Sequence, residues 1–373
     1  MRLPGWAAHA REVHGGGLTD ATPDGPAVGD RLCPWVDPIG APQALRDAAS
    51  AEGVSVCEFA EHALFAKLWR QGTVDAASVE AVPLLLAALH DGASEPARRR
   101  FALDLLLHLA AGLPMARYPS RPPQWPEEAD TTRWGAADAR AFANARACRG
   151  RVNDGIARVL PLVRDPHDEV AIGAWMLLAG LGGVEAQQAL REGVTREEGD
   201  RLASVLVGLA WWEPHIARGH ALRCLRSEPR NLAVHAAAAL ALVDPEVVCD
   251  EALEVLCAPL GEFGETFLPQ HVEGELLVGG AILALQGRAR ARAVDLLARR
   301  VDAGADEPTL AWHLTEAAFG SDPPPRSASE LRPYQRRALE ALLHAAAFDD
   351  MRWVLSSRGL PAEADALRRL LVG

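Results

Sequence analysis

The sequence predicts an all-α protein, a right-handed α-solenoid of helical hairpins with a period of about 39 residues. Apolar residues make up 49% of the chain, led by Ala and Leu, which lose little conformational freedom in a helix. Alternating β-branched runs that would indicate a sheet are scarce. Residues 156–183 read as two short apolar helices joined by an Asp-Pro turn, and this pattern recurs along the chain.

The central hairpin carries one apolar stripe on each of its helices. Asp165-Pro166 ends the first helix, because proline cannot continue its hydrogen bonds and suits the first turn of the next helix. Each hairpin leaves an apolar side that only a neighbouring hairpin can cover, which favours a repeat array. The first stripe consists of Ile156, Val159, Leu160 and Val163, and the second of Val170, Ala174, Leu177, Leu178 and Leu181.

The spacing of prolines provides the predicted period. Pro83 and Pro161 stand in similar apolar contexts, and they are 78 residues apart. The Asp-Pro dipeptides at Pro166, Pro245 and Pro323 follow one another at intervals of 79 and 78 residues. Half of this interval is about 39 residues, close to the ~40–47 residues of HEAT and armadillo units.

The segment from Leu162 to Val170 and the helix that follows it resemble the bacterial HEAT-repeat proteins, including those with PBS-lyase-type HEAT-like repeats. Residues 70–86 are similar to the opening repeats of an uncharacterised actinobacterial HEAT-repeat group. The resemblance implies a fold but no activity, since such arrays serve as scaffolds, immunity factors, lyases and DNA glycosylases. HEAT helices often carry Arg where Ala171 stands, which puts a ladder of Asp–Arg pairs between repeats in doubt at this unit.

The predicted organisation is an irregular arm over residues 1–40 and a single array over 41–373. Five prolines in 113–131 predict a long loop that interrupts the array. The predicted helices span 42–52, 54–70, 77–91, 95–111, the two helices within 156–183, 186–193, 196–212, 214–227, 230–243, 245–259, 268–286, 289–303, 308–319, 330–346, 348–358 and 362–371.

Targeting and cysteine patterns favour a cytoplasmic protein. The N-terminus lacks the apolar core of a signal peptide, and no uncharged apolar run reaches the ~18–20 residues that span a bilayer. Six cysteines occur without a Cys-x-x-Cys pair, which indicates reduced thiols rather than a disulfide framework or zinc ribbon.

The net charge of −12 is unevenly distributed, because residues 231–287 contain nine acids and neither Lys nor Arg. Glu246, Asp250 and Glu254 fall at i, i+4 and i+8 of a predicted helix, where each like-charge pair costs roughly 0.2–0.5 kcal/mol. One interpretation is an acidic face for a basic partner protein. The other is a solvated helix whose first-turn acids favour its N-terminus.

Aromatic residues supply two further candidate groups for partner binding. Trp211 and Trp212, followed by His215 and His220, form either a recognition surface or a cap on the core. The two histidines are five residues apart, off a common helical face, so this pair is not expected to bind zinc. Arg133 and Trp134 follow the Pro-rich loop that contains Trp125, and such residues either grip an anion or base by stacking or fold the loop onto the array.

The sequence favours a non-catalytic module for protein–protein interaction, as a scaffold, regulator or immunity factor with a concave helical surface. It contains no nucleophile elbow, phosphate-binding loop or His-Glu-x-x-His motif, and we expect no cofactor and no metal. The alternative is an enzyme such as the alkylpurine DNA glycosylases of HEAT-like fold. That activity requires a basic groove, so the acidic chain makes a nucleic acid partner unexpected, and the lack of a membrane-spanning run makes a membrane partner unexpected.

Overall fold

A computed structural model describes residues 68, 74, 76–90, 95–111, 136–228, 230–258, 274–305, 308–320, 322–344 and 352–372. This part of the chain is all-α, as predicted. The predicted arm 1–40, the predicted helices 42–52 and 54–70 (apart from Leu68) and the loop 113–131 lie outside it. The helices are α1 Ala76–Ala88, α2 Pro96–Ala111, α3 Ala136–Asp154, α4 Ile156–Val159, α5 Asp168–Leu181, α6 Val184–Arg196, α7 Gly199–Trp212, α8 Pro214–Cys224, α9 Arg230–Val243, α10 Asp250–Leu256, α11 Gly274–Ala284, α12 Gly287–Asp302, α13 Pro308–Phe319, α14 Pro333–His344, α15 Arg352–Ser357 and α16 Ala364–Val372.

The chain divides into two compact units at the middle of α6. Unit 1 comprises Met1–Arg117 and Pro123–Ala189, and unit 2 comprises Tyr118–Pro122 and Leu190–Gly373. In unit 1, α1, α2 and α3 pack on one another, and α5 packs on α2. In unit 2, α7, α9, α11 and α13 pack side by side, while α8 packs on α7 and α9 and α12 packs on α13. Helices thus pack in sequential pairs.

Two kinds of helix alternate along unit 2. In α9 every residue from Leu232 to Ala241 is buried, and in α7 so is every residue from Ala203 to Ala210. A helix that is apolar all round belongs in the core. By contrast, α12 buries one stripe of Ala, Val and Leu and carries five arginines elsewhere. The described part of α7 and α9 therefore leaves little surface for a partner, and the accessible faces lie on the amphipathic helices.

Helix ends follow local chemistry. Gly182 ends α5 with a φ of 68°, and its N–H donates to the carbonyl of Leu178 at 3.1 Å. The left-handed conformation costs glycine nothing, so the sequence Gly182-Gly183 stops this helix as predicted. Within the described residues, no helix has both the length and the apolar composition needed to cross a membrane.

The constant period of about 39 residues is wrong in the centre of the chain. The buried helices α5, α7 and α9 begin at Asp168, Gly199 and Arg230, at intervals of 31 residues. The Asp-Pro dipeptides misled the prediction because they occupy different positions in the fold. Asp165-Pro166 precedes a buried helix, whereas the dipeptides at Pro245 and Pro323 follow buried helices.

Helices α3 and α10 differ from the prediction. Helix α3 was not among the predicted elements, because its buried side is built from small residues, including Ala145 and Cys148, rather than from a strong aliphatic stripe. Helix α10 begins at Asp250, five residues after the predicted start at Pro245. The intervening residues form a turn and an extended segment, in which Cys249 has φ −69° and ψ 152°.

Asp–Arg pairs between helices are present, although the sequence placed them in doubt. Asp165 binds Arg99, which lies on α2 of a different helical pair. The side chain of Asp165 is 8% exposed, and its Oδ1 also accepts a hydrogen bond from the backbone N–H of His167 at 3.0 Å. The aspartate of the Asp-Pro turn thus joins two helical pairs, and it does so without the arginine absent at Ala171.

Candidate partner-binding surface

The predicted acidic residues lie where α9 ends and α10 begins. Helix α9 stops at Val243, and Asp244-Pro245 leads into a turn that contains Glu246 and Val247. Both turn residues are exposed, and Val247 retains 65% of its accessible surface. The chain then re-enters a helix at Asp250.

The predicted stack of three acids on one helix is therefore wrong for Glu246, which lies outside the helix. Only Asp250 and Glu254 share α10, and both are exposed. Asp250 is the first residue of α10, where the partial positive charge of the helix N-terminus favours a carboxylate. Pro245 and Glu246 form the turn, the N–H of Val247 donates to the carbonyl of Asp244 at 3.2 Å, and the backbone becomes helical again at Asp250.

Arginines from neighbouring helices reach this acidic segment. Arg218 of α8 pairs with Asp244 at 3.1 Å, and Arg226, which follows α8, pairs with Glu251 at 2.6 Å. The acidic run in the sequence is thus partly neutralised by residues outside it. These arginines were not identified as site residues from the sequence, because their contacts span 26 and 25 residues and follow from tertiary packing.

A weaker ion pair reaches the segment from α12. Arg292 Nε lies 3.9 Å from a carboxylate oxygen of Asp250, and its guanidinium also pairs with Asp295 at 3.1 Å. The Asp250 side chain is 74% exposed, so this contact is strongly screened by water. Asp250 is consequently only partly compensated.

Glu246 and Glu254 remain exposed, and neither has an ion-pair partner among the residues that the structure describes. Two exposed apolar side chains belong to the same neighbourhood, Val247 in the turn and Leu222 on α8. Leu222 is 48% exposed and lies midway between the two arginines that bind the acidic segment. We call the five residues Glu246, Asp250, Glu254, Val247 and Leu222 the acidic surface.

The predicted tryptophan pair forms the last two residues of α7. Trp211 and Trp212 are half-buried, after a stretch of α7 that is buried throughout. Trp211 Nε1 is buried and donates no hydrogen bond within the described structure. The next helix begins at Pro214, and its Arg218 binds Asp244, which precedes the acidic turn.

The histidines beside the tryptophans each contact a charged side chain. His215 is exposed, and its Nε2 lies 3.5 Å from Glu213, which also pairs with Arg191 at 3.1 Å. His220 accepts a hydrogen bond from Arg223 at 2.9 Å, and partial burial lowers its pKa. Across the described ranges, no group of three or more His, Cys, Asp or Glu side chains is placed to hold a metal ion. Arg133, Trp134 and Trp125 lie outside those ranges.

Buried carboxylates are candidates for acid–base chemistry, and the described part of the chain contains Asp104, Asp165 and Glu316. Each of them binds an arginine. Burial raises the pKa of Asp104, while Arg100, at 2.9 Å, opposes the rise. Each of these buried carboxylates is therefore held by the fold in an ion pair, within one helix at Asp104 and between separate elements at Asp165 and Glu316. The partner arginines of the other two are Arg99 and Arg358.

Buried histidines are also engaged by the fold. His108 Nδ1 donates to the carbonyl of Asp104 at 2.7 Å, and His235 Nδ1 donates to the carbonyl of Asn231 at 2.8 Å. Burial lowers the pKa of His108 to about 4 and also lowers that of His235. Both imidazoles are therefore neutral near pH 7, and each occupies the core side of its helix.

Comparisons with known proteins leave the family open. No protein-family model and no curated protein matches the chain. A solved structure of an engineered protein from the Northeast Structural Genomics Consortium aligns over 92% of this chain and 93% of its own, with 17% identity and a TM-score of 0.29. A score this low supports no conclusion about fold or function.

Proposed function

We propose that this protein is a non-catalytic protein-binding module, built as a solenoid of HEAT-like helical pairs, whose acidic surface binds a basic partner protein. The observation that carries the proposal is the contrast within one short segment. Asp244 and Glu251 are neutralised by arginines of the same chain, whereas Glu246 and Glu254 are exposed without such partners. Unpaired surface acids steer and select a partner of opposite charge.

Exposed apolar side chains add contact area to the acidic surface. Val247 and Leu222 retain 65% and 48% of their accessible surface. The apolar residues in the middle of α7 and α9 are buried, so these two helices contribute little exposed apolar surface. Protein interfaces combine a small apolar centre with a polar and charged rim, and Val247 and Leu222 beside the exposed acids have this composition. A partner that presents Lys or Arg around an apolar residue would be complementary.

The binding surface proposed here differs from the concave helical face expected of a solenoid. Helices α7 and α9 of unit 2 are buried along most of their length, so they offer little surface to a partner. Accessible charge lies instead on α10, on the turn before it and on α8. We therefore place the interaction on the amphipathic helices and their connections.

The test is affinity capture with the tagged full-length chain from a lysate of the source organism, followed by mass spectrometry. We expect a stoichiometric protein that elutes at high salt and that is lost with the Glu246→Lys/Glu254→Lys variant. The matched control is Glu340→Lys, since Glu340 is an exposed acid on α14 without an ion pair in the described structure. Capture that is equal for all three proteins would contradict the acidic surface as the binding site.

A further inference from the structure

The connection between α13 and α14 contains three consecutive prolines at 323–325, the only such run in the sequence. Each proline ring fixes φ at about −65°. Pro323 and Pro324 also precede a proline, which keeps their ψ in the extended range. The structure places all three prolines outside helices and turns. Pro323 and Pro324 therefore have the backbone of a polyproline II helix.

Contacts at both ends hold the proline run in place. Before the run, the carboxylate of Asp322 binds Arg290 at 3.0 Å and Arg332 at 3.2 Å. After the run, the backbone N–H of Arg326 donates to Oε2 of Glu330 at 2.8 Å. Because these contacts already order the segment in the folded chain, binding to a partner requires little further loss of conformational freedom.

The proline run is accessible to a partner. The ring of Pro324 lies close to Gly359, since a Cβ built at this glycine would come within 3.0 Å of Pro324 Cγ. Pro323 and Pro324 are nevertheless exposed, and Pro325 is half-buried. The carbonyls of the three prolines accept no hydrogen bond from any residue that the structure describes. The run thus presents apolar rings together with carbonyl oxygens that can accept hydrogen bonds.

Arg326 adds an exposed positive charge directly after the prolines. Its side chain forms no ion pair with a described residue. Arg332 differs, because its guanidinium binds Asp322 and donates to the hydroxyl of Tyr334 at 2.7 Å. A carboxylate of a partner can therefore bind Arg326 without displacing an ion pair within the described chain.

We infer that residues 323–326 form a polyproline II recognition segment, which binds an aromatic-lined groove of a partner protein. Grooves of this class pack aromatic rings against prolines and exploit a backbone that is already ordered. Their Trp N–H and Tyr O–H groups can donate to carbonyls that the segment leaves unpaired. The inference goes beyond the proposed function, because none of these residues belongs to the acidic surface.

The chemistry of the segment selects a protein groove over a nucleic acid. Binding to a nucleic acid depends on several cations that neutralise phosphates. Here one exposed arginine follows three uncharged residues, and the acids Asp322 and Glu330 lie on either side. Prolines also lack the backbone N–H groups that commonly bind phosphate oxygens.

The experiment is biolayer interferometry with the immobilised full-length chain and two purified probes, a WW domain and an SH3 domain. We expect a probe to bind and an oligoproline peptide to compete with the chain for it. Pro323→Ala/Pro324→Ala removes both exposed rings and should weaken binding at least about tenfold. Arg326→Gln should weaken it about two- to fivefold, as expected for the loss of an exposed ion pair.

Matched controls are Pro214→Ala and Arg288→Gln, which replace an exposed proline at the start of α8 and an exposed arginine at the start of α12. Both should bind the probe like the wild type, and thermal unfolding of every variant checks that the fold persists.

Failure of both probes to bind overturns the inference. Binding that survives in Pro323→Ala/Pro324→Ala, or that an oligoproline peptide does not reduce, overturns it as well. Binding of a labelled DNA duplex that is lost in Arg326→Gln, without binding of either probe, overturns it in favour of a nucleic acid.

Discussion

At the scale of single residues, burial shifts the pKa values of ionisable groups in the core. His108 is 1% exposed, and its imidazole is neutral because burial lowers its pKa from 6.5 to about 4. Between about pH 4 and pH 6.5, the imidazole of His108 is therefore protonated in the unfolded chain and neutral in the folded chain. Stability from this residue is present above pH 6.5 and is lost as the pH falls towards 4. Asp104 opposes this trend, because its raised pKa favours the folded state at low pH.

The first prediction compares the wild type with His108→Gln. Glutamine cannot be protonated, so the variant escapes the cost of a buried charge, which is roughly 3 kcal/mol for a shift of this size. At about pH 7.5 the wild type should be the more stable protein, and at about pH 4.5 its advantage should disappear or reverse. Urea unfolding followed by circular dichroism measures both differences. A difference that does not vary with pH would contradict the neutral buried imidazole.

The second prediction concerns the buried carboxylate of Glu316 in unit 2. Arg358, which follows α15, binds it with Nε at 2.8 Å from Oε1, and Nη1 also donates to the carbonyl of Gly320 at 2.8 Å. Arg358→Leu removes the cation from a carboxylate whose side chain is only 5% exposed. We expect this to lower the free energy of unfolding by about 2–3 kcal/mol.

The paired variant separates charge from packing at this site. Glu316→Leu/Arg358→Leu removes both charges and should recover most of the stability lost in Arg358→Leu, as found when buried ion pairs are replaced by apolar residues. Thermal unfolding of the two variants and the wild type measures this recovery. A double variant as unstable as the single one would show that Arg358 stabilises the fold by its hydrogen bond to Gly320 instead.

At the scale of helices, close packing sets where glycine is required. Gly279 lies inside α11, and a Cβ built there would come within 2.6 Å of the Trp312 indole on α13. The sequence indicated a helix at this glycine but could not show its purpose, because the indole arrives from a helix more than thirty residues away.

The third prediction is that Gly279→Ala destabilises the protein by about 1–3 kcal/mol, since the rigid indole must move to admit a methyl group. Gly219 on α8 provides the matched control, because a Cβ there would meet no atom closer than 4.0 Å. Gly219→Ala should stabilise the protein by about 0.5–1 kcal/mol through the better helix propensity of alanine. Equal changes in melting temperature for the two variants would contradict the packing at Gly279.

Helices with clear chemical ends are predictable from the sequence. The predicted span of α9, 230–243, agrees with the structure, because an Ala- and Leu-rich run ends at Asp244-Pro245. The span 308–319 of α13 agrees for a similar reason: Pro308 opens it and Gly320, with a φ of 46°, follows its end. Helix α3 was missed because small side chains such as Ala145 become buried only through α1 and α2, which local periodicity does not reveal.

The acidic surface was partly predictable and partly not. Sequence patterning identified Glu246, Asp250 and Glu254 as candidates, but it placed them on one helix because Pro245 and the acids resemble a helix start. It could not show that Arg218 and Arg226 would neutralise Asp244 and Glu251, since those contacts span 26 and 25 residues and follow from tertiary packing.

At the scale of the whole molecule, charge is distributed differently from what the sequence total indicates. The chain contains 50 acidic and 38 basic residues, and 29 of each belong to the part that the structure describes. The net charge of −12 is therefore carried entirely by the remaining residues. Within the described helices, binding by charge must come from a local excess of one sign, as at the acidic surface.

The fourth prediction follows from this balance and concerns salt. Attraction between local surfaces is screened within ~8 Å at physiological ionic strength, so the affinity for a basic partner should fall as salt rises. The association rate should fall with it, because steering by charge mainly affects encounter. Stopped-flow binding at two salt concentrations measures this effect. A salt-independent association rate would indicate that apolar contacts at Leu222 and Val247 dominate recognition.

The most direct measurement is isothermal titration of the purified captured partner with the wild type, Glu246→Lys/Glu254→Lys and Glu340→Lys. A binding site at the acidic surface predicts that the double reversal weakens the affinity at least about tenfold, while Glu340→Lys binds like the wild type. Equal affinities for all three proteins would contradict the acidic surface as the site of function.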